Sequence, residues 1–168
     1  MPFLAHIGFG LGMKQITPKV PGWILAVSAL FLDLMAFIIG IFGDALIWIT
    51  HGLAMSIIWT FVVLFLSYLI IQILQKQERI EKMSFKSGLR ISSIIALIVF
   101  SHWILDFIGW PLSSIDPTHT YGTPLLFANK PAFSLGVYET LIGALIMEFS
   151  FLIVGILLYV NAKKKYAE

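Results

Sequence analysis

The chain contains no cysteine and few charges: among 168 residues, Lys and Arg number 11 and Asp and Glu 9. Without cysteine there are no disulfides, no thiolate ligands and no thiol chemistry, so any metal site must be built from histidine and carboxylate. The shortage of charge excludes the polar surface of a water-soluble domain. Only 12% of residues are charged, 59% are hydrophobic and mean hydropathy is +0.94, which marks an integral membrane protein. Internal repeats and low-complexity segments are absent as well. The reading is an all-α class, one membrane domain over residues 1–168.

A hydrocarbon core about 30 Å thick needs roughly 20 apolar residues as helix. Four stretches meet that length: about 23–42, 45–74, 89–110 and 136–160. They predict a bundle of four transmembrane helices. Pro18 and Pro21 precede the first, where a helix can start, and the very short turn at Gly43 and Asp44 predicts an antiparallel hairpin of the first two. Residues 1–13, MPFLAHIGFGLGM, are apolar but too short to span. They lack the basic start and small-residue cleavage site of a signal peptide, and are expected as a short interfacial or re-entrant helix.

Basic residues near span ends favour the cytoplasmic side. Lys14 and Lys19 precede the first span; Lys76, Arg79, Lys82, Lys86 and Arg90 separate the second and third; Lys163, Lys164 and Lys165 follow the fourth. The other two connections hold only Lys130. Four spans place all three basic segments on one side, predicting N-in and C-in orientation in a bacterial or archaeal cytoplasmic membrane. Topology accounts for these charges, so no nucleic-acid partner is expected; the lipid bilayer is. Oligomeric state is open.

Within this apolar frame the segment FSHWILDFIGW stands out, because it puts a histidine and an aspartate inside a span. His102 and Asp106 are four residues apart and share a helix face. At ~1.5 Å rise per residue, counted from the outer span ends, Asp106 lies ~6 Å deep, His51 ~9 Å, His102 ~12 Å, Asp33 ~13 Å and Glu148 ~18 Å. Groups from different helices thus converge on one layer. Imidazoles and carboxylates without thiolate suit zinc, with iron or manganese as mixed nitrogen and oxygen alternatives. A divalent cation would also relieve the cost of intramembrane carboxylates, and could activate a water and polarise a phosphoryl or carbonyl oxygen. Glu148 or Glu139 is the candidate general base. His6 joins the cluster only if residues 1–13 re-enter the membrane. Two other readings fit the same residues: an ion or proton transporter, against which stands the near absence of ionisable groups in the cytoplasmic half, and a noncatalytic scaffold glued by a hydrogen-bonded His/Asp cluster.

The segments AHIGFGLGM, LFLDLMAF, ITHGLAMSIIW, FSHWILDFIGWP and SLGVYETLIGALIMEF, in that order, resemble the family of small membrane-bound metal-dependent hydrolases, itself distantly similar to zinc-dependent phospholipase C and P1-type nucleases. The resemblance covers most of the chain. It implies a metal set of His6, Asp33, His51, His102 and Asp106, a late glutamate at Glu148, and a phosphoester or lipid-linked substrate approached from the outer leaflet. The chain departs from the family pattern at Leu32, where a proline is usual, at Gly52, where a serine is usual, and at Trp110, where many members carry another histidine. His119 in the outer loop is the candidate replacement for that last ligand.

Overall fold

The computed structural model describes residues 3–41, 48–110, 122–126 and 132–166. Its elements are mostly helical: α1 (Phe3–Gly12), α2 (Gly22–Ala29), α3 (Phe31–Gly40), α4 (Trp48–His51), α5 (Leu53–Lys76), α6 (Phe85–Gly109) and α7 (Leu141–Lys165). Thr123–Pro124 and Ala132–Phe133 form a two-residue antiparallel pairing at one end. His119 and Lys130, and the expected turn at Gly43 and Asp44, lie outside the described residues.

Among the described residues three helices, α5, α6 and α7, are long and apolar enough to cross a membrane. The expectation of four unbroken spans therefore needs correction. The first stretch is a broken pair, α2 and α3, bent by 53° at Leu30. No proline causes the bend. Ser28 Oγ donates back to the Ile24 carbonyl at 2.7 Å, a contact that bends helices, and the Ala29 carbonyl accepts a hydrogen bond from His102 at 2.7 Å. The second stretch is also divided: Gly52 takes an extended conformation (φ −72°, ψ 144°), ending α4 at His51 and starting α5 at Leu53. Trp59 Nε1 donates to the Ile49 carbonyl at 2.9 Å across this break. The fourth stretch starts later than expected, at Leu141, where Thr140 Oγ1 caps the Gly143 amide at 3.0 Å, and it extends to Lys165.

Central in the bundle is α6. Half of its most apolar window is buried, against 11% for α5 and for α7. Gly88, Ser92 and Ala96 on its buried face recur at the spacing of one helical stripe, and such small residues let neighbouring backbones approach. His102, Asp106 and Gly109 continue that buried face. On α5 and α7 the opposite holds: Phe61 is 66% exposed and Ile142 70%, as side chains that face lipid tails would be.

The N-terminal helix α1 is packed, not peripheral. Successive contacts pair Ala5 with Glu148, Gly8 with Phe151 and Leu152, and Gln15 with Leu158, so α1 runs parallel beside α7. Gly8 and Gly155 touch backbone to backbone, and a Cβ on either would collide with the other helix. This close crossing carries α1 into the bundle. At its far end Lys14 Nζ donates to the carbonyls of Pro18 and Val20 at 2.7 and 2.6 Å. Burial, and then the nearby Lys163, lower the Lys14 ammonium from its ordinary value. Lys19 pairs with Glu81 at 3.2 Å. The three basic segments therefore gather at one end of the molecule, as the charge pattern predicts.

Candidate metal centre

Four elements deliver the polar residues to one place. Asp33 sits in the first turn of α3, just past the bend at Leu30. His51 ends α4. The central helix α6 contributes His102 and Asp106 from one face, and α1 contributes His6. His6, His102 and Asp106 have no exposed surface, His51 has 1%, and the Asp33 side chain is 22% exposed. All five residues singled out as candidate ligands thus meet.

The shortest separations close a ring of four donor atoms. His51 Nε2 lies 3.2 Å from Asp33 Oδ1 and 3.6 Å from Asp106 Oδ2; His102 Nε2 lies 3.5 Å from Asp33 Oδ1 and 3.4 Å from Asp106 Oδ2. Two ligands held by one ion at ~2.0–2.2 Å, roughly at a tetrahedral angle, would be ~3.3–3.6 Å apart. The observed spacings match that distance. Two triads, His6 with Asp33 and His102, and His51 with His102 and Asp106, could each hold a metal ion, and they share His102.

A hydrogen bond outside the ring sets the His102 tautomer. The Ala29 carbonyl can only accept, so His102 Nδ1 donates to it at 2.7 Å and leaves Nε2 to face the two carboxylates. His102 Nε2 and both Asp106 oxygens are buried and have no hydrogen-bond partner among the described residues. His51 Nδ1 lies 2.7 Å from Thr50 Oγ1, the kind of contact that orients a ligand imidazole. The two triads share His102, which offers only Nε2 inward.

His6 stands at the edge of the ring. Its imidazole stacks on His102 with centroids 3.7 Å apart and planes within 7°. Its Nε2 donates to the His102 carbonyl at 3.2 Å and is 3.8 Å from Asp106 Oδ1, while the buried Nδ1 has no partner among the described residues. Trp110 closes the other side, edge-on to His51 with centroids 5.9 Å apart.

The two glutamates considered as bases lie apart from the ring. Glu148 accepts from the amides of Phe3 and Ala5 at 3.0 and 2.7 Å, so both its oxygens serve the first turn of α1. Glu139 is exposed on a short 3-10 turn, Val137–Glu139, before α7. The Ala29 carbonyl and the Thr50 hydroxyl were not among the residues the sequence pointed to. A backbone carbonyl carries no sequence signal, but Thr50 does have one, its position beside His51. No protein-family model matches the chain, and no curated protein or solved structure is similar to it.

Proposed function

We propose that this chain is a membrane-embedded, metal-dependent hydrolase, with zinc as the first candidate metal, acting on a phosphoester of a lipid or lipid-linked substrate. The supporting observation is the ring itself: His102 Nε2 and both Asp106 oxygens are buried without a hydrogen-bond partner among the described residues, beside a second imidazole and carboxylate, His51 and Asp33, that bond each other at 3.2 Å. Burying such charges costs several kcal/mol each unless a counter-charge is present. A divalent cation supplies it.

Asp33, His51, His102 and Asp106 would hold the ion, with His6 beside Asp106. When bound, such an ion polarises a phosphoryl oxygen and lowers the pKa of a water. The protein's own part is orientation: Ala29 fixes the His102 ring, Thr50 fixes the His51 ring, and Trp110 covers one flank. Asp33, the one partly exposed member, marks the side from which substrate would approach. Neighbouring Leu34, Phe37 and Ile38 on α3 are exposed and apolar, which suits an amphiphilic substrate. With Glu148 committed to the α1 amides and Glu139 exposed on the turn before α7, neither glutamate is assigned the role of general base.

The basic end is read as cytoplasmic by the positive-inside rule, which places the cluster toward the outer leaflet. A screen of phosphoester lipids in mixed micelles tests the reading. The expected result is hydrolysis that a chelator stops and added zinc restores, and that is absent in His102→Ala. Stoichiometric metal without turnover on any phosphoester would remove the hydrolase and leave a metal-binding membrane protein.

A further inference from the structure

We propose that Glu148 is a positioning residue: it pins the N-terminal helix so that His6 reaches the cluster. A helix start leaves its first amides without intrahelical partners. At α1 the Ala5 amide is part-buried and Ala5 itself has no exposure, so water is a poor replacement for a missing acceptor there, while Phe3 lies at the exposed margin of the bundle. Glu148 supplies both acceptors from another helix, 145 and 143 residues away in sequence from Phe3 and Ala5. The 2.7 Å bond to Ala5 is charge-assisted, and a carboxylate is also favoured at the positive end of the helix dipole.

His6 follows Ala5 directly. Ala5 is itself buried against Leu105 and Met147, so the anchored turn cannot shift without opening that apolar contact. One turn onward, Gly8 meets Gly155, which sets how closely α1 approaches α7. His6 therefore lies between two fixed points, one polar and one steric. Held there, its ring stacks on His102 and its Nε2 bonds the His102 carbonyl, so the pin reaches the ligand helix through His6. Glu148 itself touches none of the ring.

The inference builds on the metal reading for its functional meaning, but its test does not need metal. Wild-type full chain, Glu148→Ala and Glu148→Gln are purified in detergent, treated with chelator, and reacted with diethyl pyrocarbonate, with each histidine followed by mass spectrometry. In Glu148→Ala, His6 is expected to react about 10- to 100-fold faster than in wild type, the change in local opening that loss of charge-assisted hydrogen bonds brings. His51 and His102 should stay protected, and Glu148→Gln, which keeps one acceptor oxygen, should fall between. If Glu148→Ala does not fold, selective reaction of His6 in Glu148→Gln decides in favour. Unchanged His6 reactivity, or equal acceleration of all three histidines in a folded variant, overturns the proposal. A parallel zinc titration is expected to show about 10-fold weaker binding in Glu148→Ala. A wild-type chain that binds no metal would sink the metal reading, while the His6 reactivity would still decide the role of Glu148.

Discussion

At the basic end Lys19 and Glu81 meet at 3.2 Å with side chains 70% and 85% exposed, whereas at the other end Asp106 lies within 4 Å of three imidazoles with no exposure at all. The first pair is a solvated contact whose removal leaves both partners in water. The second cannot be relaxed that way. Its charges stay buried with acceptors facing acceptors, so its stability depends on what neutralises them. The contrast separates a solvated surface pair from a buried cluster whose charges need a counter-charge, although both are ionisable groups on or beside apolar helices.

Substitutions sharpen this contrast. The largest effect is expected from Asp106→Asn, and its sign depends on metal. In chelated protein, removing one buried carboxylate charge should leave thermal stability equal or higher. In metal-replete protein the wild type should gain about 2.7 kcal/mol at a free metal concentration 100 times Kd, and the variant should lose most of that gain. Thermal melts with and without zinc would show the ranking cross; parallel curves would break the comparison. Next comes Gly155→Leu, whose side chain must displace the Gly8 backbone. About 1–3 kcal/mol of destabilisation is expected in a detergent unfolding titration, with loss of His6 protection. Thr50→Val should leave the fold intact and weaken metal binding about 10-fold, because His51 Nδ1 loses its orienting partner. The smallest effect belongs to Lys19→Ala, within about 1 kcal/mol and shrinking as salt is added.

How much of this was legible in the sequence differs between the two regions. The spacing of His102 and Asp106 put them on one helix face, and depth along the spans brought Asp33 and His51 beside them; both relations are local periodicities, and the structure places all four together. The nearness of the basic segments is a relation of Lys14 to Lys163 and of Lys19 to Glu81. The bend at Leu30 did not follow from anything nearby, since it accompanies a hydrogen bond between His102 and Ala29, 73 residues apart. The place of α1 was open for a similar reason. Its Gly8 and Gly12 have the spacing of a close-packing stripe, but only the partner Gly155 tells which helix receives it. Depth alone brought Glu148 near the cluster layer; the α1 amides, a tertiary partner, are what engage it there.

The most direct test of the central claim is the metal content of the full chain, purified in detergent and measured by elemental mass spectrometry, beside the double variant His102→Ala/Asp106→Ala. The account predicts close to one zinc, iron or manganese per wild-type chain and none in the variant. Wild-type protein that stays empty after metal is added back to the folded chain would contradict it, and would turn the same ring of imidazoles and carboxylates into a proton-sharing packing cluster.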